Sequence, residues 1–191
     1  MDVDFFFGPG SRYSYLAATQ LDRVARETGA RFVWRPVRSG DLTARTGGTA
    51  RSLQDPEWWT ADIERWARHY GVAFRDVTGE VDWRQCALAC SAAQLMGAAE
   101  PFARALYARA YGEGDPPRDD AGLASLAQGI GLDGSRFLEA LSIKAQAVYD
   151  ANLAAALAAG CFGVPSFVCP DGVVFWGQDR LPLLIDHLAG L

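Results

Sequence analysis

The sequence has few of the groups that redox and metal proteins use. Its four cysteines are Cys86, Cys90, Cys161 and Cys169, and no two of them form a C-x-x-C pair. With only 2 histidines as well, the chain offers no zinc-like cluster of ligands. Cys86 and Cys90 lie one helical turn apart among alanines and leucines, a setting typical of small buried apolar residues. Neither dithiol exchange nor zinc binding is therefore predicted.

The sequence also lacks an excess of positive charge and any long apolar run. Its 18 Lys+Arg against 23 Asp+Glu give a formal charge of −5, which argues against nucleic acid or an anionic membrane as the main partner. No apolar run approaches the roughly 18 residues that span a bilayer. The acidic start leads directly into a strand and predicts no signal peptide. We therefore expect a cytoplasmic protein.

The length and composition of the chain suit one globular domain with a sizeable insertion. The chain has 191 residues, 50% of them hydrophobic, which is ample for a core. Short aromatic and β-branched runs predict strands at 4–7 and 31–36, and the apolar periodicity between them predicts a helix over 13–27. This β-α-β order implies parallel strands joined by a right-handed crossover.

The middle of the chain is predicted to be helical. A polar stretch rich in Gly, Thr and Arg at 40–54 is typical of a long connection or lid. Helical patterns with glycine-containing breaks then follow at 56–70, 83–96, 100–111, 119–129, 133–141 and 144–159. Their high alanine content favours helix formation.

A glycine-flanked proline, Pro165, opens the C-terminal part. Two short apolar runs at 166–169 and 173–176, joined by Pro-Asp-Gly, predict a strand hairpin. The missing N–H of Pro165 is tolerated because this residue precedes the first strand of the hairpin. The bond between Val164 and Pro165 is a candidate for the cis form, which X-Pro bonds can adopt.

The last predicted element is a helix over 181–188, which Asp179 is placed to cap. The order of the chain is then β-α-β, a helical block and β-β-α. Neither strand pair is stable alone, so we predict an α/β fold with a thioredoxin-like, four-stranded mixed sheet. The thioredoxin-like domain is predicted to cover residues 1–40 and 145–191, and residues 41–144 to form an inserted all-helical domain.

Ser11 is the first candidate for a functional role. It stands where the first strand meets the first helix, a place where α/β units bind ligands and free amides attract an anion. A plain N-cap is the simpler role for a serine there. Ser11 and Ser14 have the spacing at which a thioredoxin-type oxidoreductase has C-x-x-C, but without sulfur they cannot exchange disulfides. The hydroxyl can instead donate a hydrogen bond to an external thiolate and lower the pKa of that thiol.

Several motifs, in order along the chain, carry a resemblance to a known family. They are Asp-Phe-Phe-Phe at 4–7, Gly-Ser-Arg-Tyr-Ser-Tyr-Leu-Ala at 10–17, Trp-Arg-Pro-Val at 34–37, Arg-Trp-Ala at 65–67, Tyr-Gly-Val at 70–72, Gly-Cys-Phe-Gly-Val-Pro-Ser-Phe at 160–167 and Phe-Trp-Gly-Gln-Asp-Arg-Leu at 175–181. Together they resemble the 2-hydroxychromene-2-carboxylate isomerase family, which is related to kappa-class glutathione transferases and DsbA-like proteins. The C-terminal motif is the more specific part of the resemblance.

The resemblance implies an enzyme with glutathione as its cofactor, which isomerises an aromatic-derived unsaturated keto acid between cis and trans forms by transient thiol addition. It implies that Ser11 holds the glutathione sulfur and that Val164, before a cis Pro165, offers its backbone to the tripeptide. Gln178 and Asp179 would bind the γ-glutamyl end, and Asp179 can cap a helix at the same time. The resemblance also implies a homodimer.

Candidate residues of the substrate pocket are Arg12, Tyr13, Arg45 and Trp58. Trp58 and the other tryptophans of the helical block could line an aromatic pocket above Ser11, or could pack the block against the sheet.

The chain departs from the family pattern in the part that would contact the substrate. The family usually has a proline where Arg12 stands, so a charge is added beside the expected sulfur site. The usual lysine position is Ala44. Arg45 could supply the missing charge, although one step along a helix turns a side chain by about 100°. The family asparagine before the next helix is replaced around 82–85. These changes bear on the substrate more than on the fold.

Alternatives to the isomerase therefore stay open. One is a kappa-type glutathione transferase. Another is a DsbA-like module that binds thiols or small molecules without catalysis. A redox protein that uses Cys161 beside Pro165 ranks last, because the sequence offers no partner cysteine at the spacing for exchange.

Overall fold

The structure is a computed structural model that describes residues 1–46 and 56–190. Residues 47–54 of the connection predicted at 40–54 lie outside the described residues. In the described part, no helix is long and apolar enough to cross a membrane.

A four-stranded sheet forms the centre of the fold. Its strands are β1 (Asp2–Phe7), β2 (Arg31–Pro36), β3 (Ser166–Val168) and β4 (Val174–Trp176). Their order is β2-β1-β3-β4, with β1 and β2 parallel and the other two pairs antiparallel. The parallel pair follows from the helical crossover between its strands, and the antiparallel pair β3-β4 from a tight turn. The predicted α/β fold with a mixed sheet is confirmed.

Helices account for most of the remaining described residues. They are α1 (Arg12–Thr28), α2 (Ser39–Thr46), α3 (Pro56–Tyr70), α4 (Trp83–Leu95), α5 (Ala99–Tyr107), α6 (Asp120–Gly129), α7 (Gly134–Ile143), α8 (Ala145–Ala158) and α9 (Leu181–Leu188). A π-helical segment, Ala108–Glu113, continues α5. It ends at Gly114, whose φ of 77° is in the left-handed region that glycine adopts at little cost.

The prediction of an irregular connection from residue 40 is wrong for its first part, which is helix α2. The sequence of this helix shows almost no apolar periodicity, and Leu42 is its only buried residue. The helix is fixed instead by a distant residue, Tyr149 of α8. The Tyr149 hydroxyl accepts a hydrogen bond from the Arg38 backbone N–H at 3.1 Å and donates one to the Asp41 carboxylate.

The predicted cap of the last helix is also wrong. Asp179 lies inside a 3₁₀ turn, Gln178–Arg180, and α9 begins after it without a side-chain cap. Pro182 in the first turn of α9 needs no partner for a backbone N–H. The carboxylate of Asp179 is therefore not used to cap a helix.

The larger of two buried clusters in the described residues joins the sheet to the helical block. The Phe5 ring lies at its centre, with centroids 4.9 Å from Trp34 and 5.1 Å from Phe167. The same buried cluster extends to Tyr15 and to Tyr107 of α5, whose ring centroids are 5.9 Å apart. The division into residues 1–40 with 145–191 and an inserted 41–144 stays a prediction.

Candidate active site

A cavity of about 500 Å³ opens where the chain leaves β1 and β2, a volume typical of small-molecule sites. We call the part of its lining formed by residues 8–11, 163–165 and 176–180 the sheet wall. We call the part formed by residues 38–40 together with Trp58, Trp59, Asp62, Trp66 and Trp83 the helix wall. Arg12 and Tyr13 complete the lining.

Ser11 caps α1 and still has a hydrogen-bond donor to offer. Its Oγ accepts from the Ser14 N–H at 3.2 Å, which confirms the N-cap. In residues 1–46 and 56–190 no acceptor takes the hydroxyl proton, so the cap and a bond to a ligand are compatible. The 17-residue helix places the positive end of its dipole at the same point.

Two buried hydroxyl groups hydrogen-bond to the loop before Ser11 and hold it in place. Ser14 Oγ accepts from the Gly8 N–H at 3.2 Å, and the Tyr107 hydroxyl donates to the Gly8 carbonyl at 3.0 Å. Ser14 is fully buried and does not line the cavity, so its role in the S-x-x-S pair is to position this loop.

Val164 brings unpaired backbone groups to the sheet wall. The Val164-Pro165 bond is cis, and neither the N–H nor the C=O of Val164 has a hydrogen-bond partner among the described residues. Pro165, by contrast, accepts from the Gly177 N–H at 2.9 Å. A Cβ added to Gly8 would lie 3.0 Å from Val164 Cγ2 and 3.5 Å from Ser11 Cβ. The side chains of Val164 and Ser11 thus lie on either side of Gly8, and both residues line the same cavity.

Gln178 and Asp179 belong to the part of the sheet wall formed by residues 176–180. Gln178 is buried, and its Oε1 accepts a hydrogen bond from the Tyr70 hydroxyl. Burial raises the pKa of Tyr70 to about 12. Asp179 Oδ2 lies 3.3 Å from Arg180 Nη1, with 43% of the Asp179 side chain exposed. Gln178 is thus fixed by the fold, whereas the Asp179 carboxylate is accessible to a ligand.

The charged and aromatic candidates on α1 are paired within the protein. Arg12 forms a two-pronged bond to the Asp76 carboxylate with distances of 2.7–2.9 Å, which offsets the charge that replaces the family proline. The Tyr13 hydroxyl donates to Asp62 Oδ2 at 2.7 Å. Partial burial first, and then this bond, raise the pKa of Tyr13 above its ordinary value.

The structure separates the other two pocket candidates. Trp58 lines the cavity and is 52% exposed, whereas Arg45 is exposed and lies outside the lining. Sequence reasoning missed Arg38, which lines the helix wall. The sequence feature that could have identified Arg38 is its place in the loop that follows β2, because ligands of α/β units bind at the carboxyl ends of parallel strands.

All four cysteines are free and buried. Burial raises the pKa of Cys161 to about 11 and that of Cys86 to about 12. Because a thiol needs to ionise before it attacks or exchanges, these groups are poor candidates for the redox alternative.

A group of potential ligand atoms that the sequence did not indicate lies in and beside the β3-β4 hairpin. One atom each of Cys169, Asp171 and His187 lies within 4.8 Å of the others. His187 Nε2 and Asp171 Oδ2 are 2.9 Å apart and satisfy one another, and burial raises the pKa of Cys169 to about 11. A structural ion pair beside a buried thiol accounts for this arrangement.

Known proteins match this chain over nearly its whole length. The DSBA-like thioredoxin domain family matches residues 2–189. A 2-hydroxychromene-2-carboxylate isomerase from Sphingobium xenophagum is 34% identical over 193 residues, with 97% of each chain covered. One from Pseudomonas putida is 28% identical, with 100% of this chain and 96% of that one covered. A solved structure of 2-hydroxychromene-2-carboxylate isomerase superposes with a TM-score of 0.87 at 26% identity, covering 100% of this chain and 95% of that one.

Proposed function

This chain belongs to the 2-hydroxychromene-2-carboxylate isomerase family, among proteins with a DSBA-like thioredoxin domain, and we propose that it is a glutathione-dependent isomerase. The proposed reaction is the cis-trans isomerisation of an aromatic-derived unsaturated keto acid. The observation that carries the proposal is the unpaired Val164 backbone next to the unused hydroxyl proton of Ser11, because a thiol-containing peptide needs both.

The residues of the sheet wall offer groups that suit the parts of glutathione. The free N–H and C=O of Val164 suit strand-like pairing with the backbone of a peptide. The exposed carboxylate of Asp179 suits the ammonium of the γ-glutamyl group, as an ion pair strengthened by hydrogen bonds. Between them, the Ser11 hydroxyl and the start of α1 suit an anionic sulfur.

When bound, glutathione would supply a thiolate nucleophile for reversible addition to the substrate double bond, chemistry that needs no oxidant or reductant. Ser11 donates a hydrogen bond to the sulfur and so favours its anionic form. The helix wall holds the substrate, because Trp58, Trp59 and Trp66 offer aromatic faces to a flat ring.

The role of Ser11 is tested by titrating the ultraviolet absorbance of the thiolate of bound glutathione. We expect a thiol pKa below that of free glutathione in the native protein and a clearly higher one in Ser11→Ala. Ser142→Ala is a matched control, because the Ser142 hydroxyl bonds only its own helix at 3.1 Å to Glu139 O. An unchanged pKa in Ser11→Ala would contradict the role.

Calorimetry with glutathione, followed by a turnover assay on 2-hydroxychromene-2-carboxylate, separates the proposed function from its alternatives. Binding with isomer formation supports the isomerase. A stable glutathione conjugate as the product supports the transferase instead. Binding without turnover supports the non-catalytic module, and no binding contradicts all three.

A further inference from the structure

A cation for the substrate carboxylate is a requirement of the proposed function, and the chain has little choice of residue for it. Its 18 basic side chains include one lysine, Lys144, which lies between α7 and α8 and outside the cavity. Ala44 and Arg45 do not line the cavity either. Among residues 1–46 and 56–190, the candidates for this cation are therefore the arginines that line the cavity.

In the described part of the chain, three arginines line the cavity, and they differ in how firmly they are paired. Arg12 is bonded through two of its nitrogens to Asp76, and Arg180 Nη1 lies 3.3 Å from Asp179. Arg38 Nη1 lies 3.8 Å from Asp41 Oδ1, which is beyond hydrogen-bond distance. Within residues 1–46 and 56–190 the Arg38 guanidinium makes no hydrogen bond. Arg180 makes none there either, but its ion pair with Asp179 is the shorter one, so Arg38 is the most weakly paired of the three.

Arg38 also starts from the correct place. The point where a Gly8 Cβ would lie is 3.4 Å from the Val37 carbonyl oxygen and 3.5 Å from Ser11 Cβ, so the residue after Val37 begins close to the expected sulfur. Arg180 follows Asp179, at the end of the sheet wall assigned to the γ-glutamyl group. Arg12 is next to Ser11 in the chain but is held by Asp76, so Arg38 is the weakly paired arginine whose backbone begins near Ser11.

The surroundings fix the Arg38 backbone and leave the side chain free to change partner. The Arg38 N–H donates to the Tyr149 hydroxyl at 3.1 Å, and the same hydroxyl donates to Asp41. For Asp41, the hydrogen bond from the Tyr149 hydroxyl is thus a stronger interaction than the 3.8 Å ion pair with Arg38. With 35% of its side chain exposed, Arg38 can turn from Asp41 to a ligand in the cavity.

We propose, on the basis of the proposed function, that Arg38 binds the substrate carboxylate and replaces the lysine that the family carries at the position of Ala44. A guanidinium matches a carboxylate with two parallel N–H donors, which a lysine cannot do. Arg38 therefore selects planar aromatic acids over their neutral analogues.

The first experiment measures binding without turnover. Chromone-2-carboxylate and chromone-2-carboxamide serve as stable planar probes, and quenching of the cavity tryptophans reports their affinity. We expect the native protein to prefer the acid about ten- to hundredfold, as for a charge-assisted hydrogen bond, and Arg38→Gln to lose that preference. Arg38→Lys restores part of it. Arg68→Gln is the matched control, because Arg68 has an equally long ion pair, 3.8 Å to Glu64, outside the cavity.

The second experiment measures turnover of 2-hydroxychromene-2-carboxylate and binding of glutathione. Arg38→Gln is expected to raise KM about ten- to hundredfold with the glutathione Kd unchanged, because Arg38 lies on the helix wall. If Arg45→Gln raises KM and Arg38→Gln does not, or if Arg38→Gln keeps its preference for the acid, the assignment of Arg38 is overturned while the isomerase stands. If the native protein binds the acid through Arg38 but does not isomerise with glutathione, the proposed function fails and the assignment stands.

Discussion

The sheet wall and the helix wall of the cavity offer a ligand different kinds of groups. On the sheet wall, beside the side chains of Trp176 and Arg180, these include main-chain atoms of Val164, a capping hydroxyl and one carboxylate, which lie at a cis proline, a helix start and a 3₁₀ turn. On the helix wall they are long side chains such as Arg38 and Trp58. Groups of the first kind follow from the fold, whereas groups of the second kind can be exchanged without altering it. The departures at Ala44 and at 82–85 lie in the helical block, which forms most of the second wall.

The largest expected effect concerns the chain's own thiols. If one of them were reactive beside the sheet wall, an external thiol would be unnecessary and the comparison would lose its meaning. The pKa of Cys161 and that of Cys169 are both raised to about 11 by burial, so about one such thiol in a thousand is ionised at pH 8. We expect the native chain to react with Ellman's reagent at least about a hundredfold more slowly than the urea-unfolded chain. The rate should rise with pH as the thiolate fraction grows. A single fast native thiol would refute this.

The next effect assigns the sheet wall to the cofactor. Asp179→Asn removes the charge expected to pair with the γ-glutamyl ammonium, and calorimetry should show glutathione binding weakened about ten- to hundredfold. Because Asp179 caps no helix, the melting temperature should hardly change. Asp186→Asn, an exposed carboxylate on α9, is the control. Equal glutathione affinity in both variants would remove Asp179 from the site.

A pair of glycine substitutions compares a place where the two walls touch with an open place on the helix wall. A Cβ at Gly10 would lie 2.7 Å from the ring of Trp83 on the helix wall, which stacks on Tyr111 with centroids 6.0 Å apart and cannot move aside easily. Gly10→Ala should therefore lower the free energy of unfolding in urea by about 1–3 kcal/mol. Gly40→Ala, with nothing within 4 Å of the new atom, should raise it by up to about 1 kcal/mol through helix propensity. Similar results for both would mean that the contact between Gly10 and Trp83 is not tightly packed.

The smallest effect is expected at the pair between Arg12 and Asp76. Both side chains are about one-third exposed, at 33% and 36%, so solvent screens their attraction. Arg12→Ala should cost less than about 1 kcal/mol of unfolding free energy, and added salt should reduce the difference further. A larger, salt-independent loss would show that this pair stabilises the start of α1 more than an exposed ion pair can.

The sequence predicts those features that local chemistry determines. Strand β2 is predicted to the residue, 31–36, because a β-branched and aromatic run ends at a proline. The Ser11 cap is predicted because a serine between a turn and an apolar helix has few other roles. The cis form of Val164-Pro165 follows from the motif that carries the resemblance, and not from any local rule.

What the sequence does not predict depends on contacts between distant residues. Helix α2 is fixed through Tyr149, more than one hundred positions away, and its own sequence shows almost no apolar face. The cap expected of Asp179 fails because a 3₁₀ turn moves it away from the start of α9. The preference for Arg38 over the two other arginines of the cavity follows only when the lengths of their ion pairs can be compared.

The hydrogen bond from Tyr107 to the Gly8 carbonyl sets a condition for anyone who builds chimaeras in this family. Tyr107 comes from the helical block, and the loop it supports belongs to the thioredoxin-like half. Grafting the helices of a relative onto this sheet, in order to change the substrate, would leave that buried carbonyl unpaired unless the donor helices bring a hydroxyl to the same point. The helical block can thus be exchanged only together with the support it gives to the loop before Ser11.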